Sequence, residues 1–112
     1  MIFHMCPKTE WEKALETGLY EGNEVDRKDG FIHFSTGEQL RETARLHRRG
    51  VEGLVLICVD PETLGDALKW EPSRGGRMFP HLYGPLPVRF CVSVHDLPVG
   101  EDGVHEFPAF VP

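Results

Sequence analysis

The sequence has few cysteines, no long apolar run and no excess of basic residues, and each shortage excludes a class of protein. Its three cysteines, Cys6, Cys58 and Cys91, stand at unrelated spacings without a CxxC pair, so neither a disulfide framework nor a zinc ribbon is expected. No stretch approaches the ~20 apolar residues of a membrane helix, and the N-terminus lacks the pattern of a signal peptide. We therefore expect a cytoplasmic protein that has no membrane partner.

The charge balance argues against a general attraction to nucleic acid. The formal net charge is −6 over 112 residues, whereas nucleic-acid binding usually needs a basic surface. Two local groups of arginines depart from this balance, one between residues 41 and 49 and the other at Arg74 and Arg77. The chain length predicts a single domain over residues 1–112 with one modest core.

The hydrophobic pattern predicts two main helices and five strands. The helices are PKTEWEKALETG and STGEQLRETARLHRRG, and the strands are MIFHM, FIHFS, EGLVLICVDP, ALKWEPS and VRFCVSVHDL. Helices dominate the first half and strands the second, which predicts an α+β fold rather than a doubly wound parallel sheet. We expect LYEGNEVDRKDG to be a polar loop, and residues 98–112 to be a turn and a loosely packed end.

The second helix has two alternative starts. Ser35 with Glu38, and Thr36 with Gln39, both fit the spacing of a capping box, and Gly50 is a plausible C-terminal stop. In the strand just before this helix, His33 alternates with apolar neighbours and has no obvious structural duty. His33 is therefore either a satisfied core histidine or a group that faces a ligand.

The segment WEPSRGGRMFPHLYGPL contains most of the other candidate groups. Glu71 follows Trp70, so partial desolvation would raise the pKa of its carboxyl group. His81 and Tyr83 point the same way if the segment is extended. Arg74 and the glycine pair behind it form either a phosphate cradle or a plain flexible turn. The whole segment is alternatively a rigid loop in which His81 is a surface residue.

The histidines give no pattern of metal ligands. His4, His33 and His81 have neither helical spacing nor a nearby cluster of carboxylates, so no metal is expected. The remaining histidines, His47, His95 and His105, are interpreted as structural or surface residues.

Several motifs occur together in a characteristic order: HM after the first strand, DGFIHFST-x-EQ, LVLICVD, WE and FPHLYGPLP. In this respect the chain resembles the bacterial family called Domain of Unknown Function 952, over about residues 2–97. That family is grouped with the ADP-ribosyltransferase-like superfamily. The resemblance implies a compact split antiparallel or mixed sheet with two main helices, and a cleft that holds NAD in relatives.

The resemblance also implies roles for individual residues. His33 would contact a ribose hydroxyl and Tyr83 would stack on a flat base, while Glu71, with His33, would be catalytic by stabilising an oxocarbenium-like ribosyl cation. The other residues expected to bind the nucleotide are His4, Ser35, Thr36, Arg74 and His81.

Three functions remain open at this point. The first is an ADP-ribosyltransferase-like domain that binds NAD, ADP-ribose or a related ribonucleotide as a small-molecule partner. The second is a non-catalytic nucleotide-binding or accessory module that keeps the fold without the chemistry. The third is an enzyme that processes 2′-phosphorylated RNA, which the local arginines favour and the acidic net charge disfavours.

Overall fold

The computed structural model describes residues 1–112 and contains nine strands, three α-helices and three short 3₁₀ helices. In chain order the strands and α-helices are β1 (Ile2–Pro7), α1 (Lys8–Thr17), β2 (Leu19–Tyr20), α2 (Glu24–Asp29), β3 (Ile32–His33), β4 (Ser35–Thr36), α3 (Gly37–His47), β5 (Leu54–Val59), β6 (Leu68–Pro72), β7 (Met78–Leu82), β8 (Leu86–Pro87) and β9 (Cys91–Leu97). The 3₁₀ helices are Pro61–Ala67, Arg74–Gly76 and Val88–Phe90.

The strands divide among three sheets in which every pairing is antiparallel. The largest sheet has the order β4-β1-β5-β9, a second has the order β3-β7-β6, and β2 pairs with β8 alone. All six residues of β5 are buried, as the continuous apolar run LVLICV predicts for a strand covered on both faces. The α+β class is confirmed.

Two apolar clusters occupy the two faces of the central sheet, because alternate residues of a strand point in opposite directions. Val55 and Ile57 of β5 pack in the cluster that contains Trp11 of α1. Leu56, between them, packs in the cluster that contains Leu40 of α3. The helices α1 and α3 therefore sandwich the central sheet.

The C-terminal segment packs more closely than the sequence indicates. Val111 is 3% exposed and joins the cluster beneath α3, and His105 is also buried, with its Nε2 2.8 Å from the carbonyl oxygen of Val51. The expectation of a loosely packed end is therefore wrong for these residues. A single apolar residue such as Val111 is too short a pattern to show in the sequence that the segment packs on the core.

The predicted strand FIHFS is divided between two sheets. His33 pairs with His81 of β7, whereas Ser35 pairs with Phe3 of β1. The chain changes sheets at Phe34, whose side chain is buried in the core. The prediction of one continuous strand is wrong, because the partner strands change within five residues. This change places His33 at the junction of two sheets.

The predicted polar loop before this strand contains the short helix α2. Asn23 caps the helix: its side-chain oxygen accepts a hydrogen bond from the Asp26 backbone N–H at 2.9 Å, and the Asp26 carboxylate accepts one from the Asn23 backbone N–H at 2.8 Å. This reciprocal capping box satisfies two backbone donors at the helix start. The loop prediction is wrong, because the cap residues specify a helix that has little apolar pattern.

Thr36, rather than Ser35, caps α3. Its hydroxyl accepts a hydrogen bond from the Gln39 backbone N–H at 3.3 Å, and the Gln39 side chain accepts one from the Thr36 N–H at 3.0 Å. We expect Thr36→Ala to lower the free energy of unfolding by about 1 kcal/mol, measured by urea denaturation. The control is Thr9→Ala at an exposed position of α1; equal losses in the two variants would contradict the cap assignment.

Candidate functional site

A cavity of about 390 Å³ lies where β1, α2, β3, α3 and β7 approach one another. Five of the eight predicted site residues line it: His4, His33, Ser35, Arg74 and His81. The other three, Thr36, Glu71 and Tyr83, do not line it. Residues from five separate elements thus converge on one cleft, which the sequence order alone does not reveal.

His33 is held between two carboxylates. Its Nδ1 lies 2.6 Å from Oδ1 of Asp26, and its Nε2 lies 3.0 Å from Oδ2 of Asp29. Burial lowers the pKa of His33, but the hydrogen bonds and negative charges of the two aspartates outweigh burial and raise it above the ordinary value. With a carboxylate at each ring nitrogen, the protonated His33 ring donates both of its hydrogens.

Asp26 is the centre of this arrangement, and its side chain is 2% exposed. Besides the His33 ring, its carboxylate accepts hydrogen bonds from the backbone N–H groups of His33, at 3.0 Å, and Asn23. Burial raises its pKa, but these donors outweigh burial and lower it. The backbone of Gly22 packs so closely that a Cβ there would lie 2.6 Å from that of Asp26, and its φ of 95° also favours glycine.

His4 is a buried neighbour of this pair. Its Nδ1 donates to the carbonyl oxygen of His33 at 2.6 Å, and its Nε2 accepts from the Tyr20 hydroxyl at 2.7 Å. Burial lowers the pKa of His4 more than the charge of Asp26 raises it, so the ring is neutral at pH 7. Both ring nitrogens are therefore engaged by the protein itself.

Glu71 lies behind His81 rather than at the cavity wall. Its Oε1 accepts hydrogen bonds from His81 Nδ1 at 2.8 Å and from the Tyr83 hydroxyl at 2.7 Å. These two donors, that of Tyr83 foremost, lower the pKa of Glu71, and the same contact raises the pKa of Tyr83. The expectation of a raised Glu71 pKa is wrong, because the carboxylate is accessible and doubly hydrogen-bonded rather than desolvated.

Phe31 links the two histidines of the cleft. Its ring stacks on His81 with centroids 4.1 Å apart and contacts His33 at 4.5 Å and Tyr83 at 5.2 Å. The rings of His33 and His81 lie edge to face at 5.5 Å. The prediction that His81 and Tyr83 share a face is consistent with both of them bonding Glu71.

One part of the cavity wall is positively charged. Arg48, Arg74 and His47 line it, and burial together with these two arginines lowers the pKa of His47. Arg74 donates to the Thr43 hydroxyl at 3.3 Å and lies 3.8 Å from the Glu42 carboxylate. His47 therefore belongs to the cavity and not only to a solvated helix face.

Glu42 is the only acidic partner of the arginines at and beside this part of the cavity. Its carboxylate is shared by Arg45 at 3.8 Å, Arg74 at 3.8 Å and Arg77 at 3.7 Å, and Arg48 forms no ion pair. These four arginines therefore outnumber their one acidic partner, although the chain as a whole is acidic. Guanidinium groups in such surplus suit phosphate oxygens.

No group of three or more His, Cys, Asp or Glu side chains is arranged as a metal would require. None of the helices is both long enough and apolar enough to cross a bilayer.

Sequence reasoning missed Asp26, Asp29, Phe31 and Arg48. The signal that could have identified Asp26 is the spacing Asn-x-x-Asp after a glycine, which is the pattern of a helix cap. The contact of Asp26 with His33 is seven residues distant and depends on how α2 folds back, so no local pattern reports it.

The chain has an α+β fold with a carboxylate-bound histidine, His33, at the junction of two antiparallel sheets. The family described as Protein of unknown function (DUF952) matches residues 5–94, and the chain belongs to this family. The predicted family membership is therefore confirmed.

Solved structures agree with this assignment. The crystal structure of protein CC0527 from Caulobacter crescentus is 48% identical, with a TM-score of 0.91, and the match covers 94% of this chain and 92% of that one. The solution NMR structure of CC0527 is 50% identical, with a TM-score of 0.83 and coverage of 92% and 89%. A search of curated proteins finds no match.

Proposed function

We propose that the cleft binds a phosphorylated ribose ligand, such as NAD, ADP-ribose or a related ribonucleotide. The observation that carries the proposal is that one cavity is lined by two guanidinium groups, those of Arg48 and Arg74, and by the His33–Asp29 pair. The cavity volume of about 390 Å³ falls within the range of ordinary small-ligand sites, about 300–1,000 Å³.

The arginine wall supplies phosphate recognition. Arg74 is positioned by the Thr43 hydroxyl and by cation–π packing on Phe79, with its guanidinium carbon 5.0 Å from the ring centroid. Its side chain is 26% exposed, so the guanidinium group is ordered but keeps access to solvent. Ser35, whose hydroxyl lies 3.2 Å from that of Thr43, adds a neutral hydrogen-bonding group at the same wall.

The histidine wall supplies ribose recognition. His33 Nε2 is a donor, and its partner Asp29 is 43% exposed and can turn outward or share the bond. A ribose diol satisfies both groups at once, since one hydroxyl accepts from the imidazolium while the other donates to the carboxylate. His33, predicted from the family resemblance as the ribose contact, therefore keeps that role in the proposal.

Arg74→Gln is expected to weaken binding of NAD and ADP-ribose by about tenfold or more, the usual loss for one charged hydrogen bond. Isothermal titration measures the affinity. Arg77→Gln is the matched control, because Arg77 lies at nearly the same distance from Glu42 but does not line the cavity. Equal affinity in the two variants would remove the phosphate assignment.

The same titration includes 2′-phosphorylated RNA ends. Tighter binding of these ends than of NAD would favour the RNA-processing alternative, which draws on the same arginines. If NAD, ADP-ribose and RNA ends all give no heat of binding with a folded sample, the proposal is rejected.

A second candidate function is a nucleotide-binding module without catalysis. It is favoured by the position of Glu71, whose carboxylate is engaged by His81 and Tyr83 and does not line the cavity. This module would bind NAD without releasing nicotinamide, which chromatography of the reaction mixture measures directly.

A further inference from the structure

The two histidines that face each other across strands β3 and β7 present their rings differently. His33 has a carboxylate at both ring nitrogens, Asp26 at 2.6 Å and Asp29 at 3.0 Å. His81 uses only Nδ1, which lies 2.8 Å from Glu71. Its Nε2 makes no hydrogen bond and is not among the polar atoms that the fold seals from solvent. Of these two rings, only that of His81 therefore has a nitrogen that no protein group engages.

Glu71 determines which nitrogen of His81 is free. A carboxylate only accepts hydrogen bonds, so His81 Nδ1 must carry a hydrogen, and in the neutral ring Nε2 then holds a lone pair. The Tyr83 hydroxyl donates to the same Glu71 oxygen at 2.7 Å and holds the carboxylate in place. Phe31, stacked on the imidazole at 4.1 Å, restrains the plane of the ring.

We propose that His81 is the general base of the cleft, that its Nε2 removes a proton from a water molecule beside a bound N-riboside, and that Glu71 is its positioning residue. The inference rests on the proposed function, because it takes NAD as the ligand. It changes the predicted role of Glu71, which acts through His81 instead of touching the ribosyl group.

The reaction balances without a further co-reactant. The water oxygen forms a bond to the anomeric carbon of the nicotinamide ribose, and the bond from that carbon to nicotinamide breaks. The electron pair of the broken bond passes to the nicotinamide ring nitrogen and cancels its positive charge. The water proton passes to His81 Nε2 and then to solvent, so that NAD and water give ADP-ribose, nicotinamide and a proton.

The ring tautomer tests the base directly and needs no substrate. In ¹⁵N-labelled protein, long-range ¹H–¹⁵N spectra of neutral His81 should show hydrogen on Nδ1 and none on Nε2. Glu71→Ala should remove this preference, whereas Glu62→Ala, at an exposed 3₁₀ turn, should preserve it. Hydrogen on Nε2 in the unmodified protein would overturn the inference.

The release of nicotinamide from NAD provides a second test of His81. The unmodified protein should release nicotinamide from NAD, and His81→Asn should slow release by about 100-fold or more, as loss of a general base does, while NAD still binds within a few-fold. If NAD binds but is not hydrolysed, the assignment of His81 as the general base is wrong, whereas the proposed binding stands. NAD that does not bind at all would overturn the proposed function itself.

Discussion

Asp26→Ala is expected to lower the free energy of unfolding by about 2–4 kcal/mol. The change removes the carboxylate that holds His33, and it leaves two backbone N–H groups, those of Asn23 and His33, without their acceptor. Breaking a buried ion pair costs about 3–5 kcal/mol, and the lower figure here allows for the partial exposure of His33. Urea denaturation measures the loss.

Asp29→Ala is the matched control, because it removes the other carboxylate of the same histidine. Asp29 is 43% exposed, so its loss should cost less than about 1 kcal/mol. Equal costs for the two alanine variants would mean that Asp26 is no more than a surface partner.

The pH dependence of stability separates the two members of the buried pair. Asp26 has a lowered pKa, so its contribution is present above its ordinary value of 3.8 and is lost as the pH falls through the folded-state pKa. His33 has a raised pKa, so its contribution is present below 6.5 and is lost as the pH rises through the folded-state pKa. The melting temperature of Asp26→Ala should therefore vary less with pH than that of the unmodified protein, both below pH 3.8 and above pH 6.5.

His4→Leu is expected to lower the free energy of unfolding by about 2–4 kcal/mol. The substitution leaves the carbonyl oxygen of His33 and the hydroxyl of Tyr20 buried without their partner, and each such unpaired group costs about 1–3 kcal/mol. The expected role of His4 is thus to hold the His33 backbone in place. Thermal or urea denaturation provides the measurement.

Tyr20→Phe provides the comparison, since it removes one hydrogen bond and keeps the ring that packs against Trp11 and His4. We expect a loss of about 1–3 kcal/mol, mainly from the unpaired His4 Nε2. If His4→Leu left stability unchanged but abolished nucleotide binding, His4 would be a ligand contact, as the family resemblance implies, and its structural role would be rejected.

Periodic apolar patterns predicted α1, α3 and β5, but the prediction of Gly50 as the stop of α3 is wrong, because the helix ends at His47 with Arg48 as its C-cap. The predicted strand VRFCVSVHDL begins only at Cys91, since Val88–Phe90 forms a 3₁₀ helix.

The apolar run of β5 and the Pro7 and Gly18 boundaries of α1 are local signals, so the sequence reports them directly. The short elements were predicted poorly, because β3 and β4 have two residues each and are specified by partner strands distant in the sequence.

The same contrast between local signals and distant contacts decides which site residues can be predicted from the sequence. His33, His81 and Arg74 are visible in sequence because polar side chains stand out within apolar or Gly-Pro segments, and the cavity brings them together. Asp26 lay in an unremarkable polar stretch, and its burial arises only when α2 folds onto β3. The lowered pKa of Glu71 is also invisible in the sequence, because it depends on a hydrogen bond from Tyr83, twelve residues away.

A ¹H–¹⁵N correlation titration with ADP-ribose shows directly whether the cleft binds a phosphorylated ribose. We expect the backbone shifts to cluster on the cavity residues His33, Arg48, Arg74 and His81. Arg74→Gln should reduce these shifts, whereas Arg77→Gln should not. Spectra that remain unchanged at millimolar ADP-ribose, or shifts confined to the groove that Trp11, Leu15 and Val94 line on the other side of the molecule, would contradict the proposed binding.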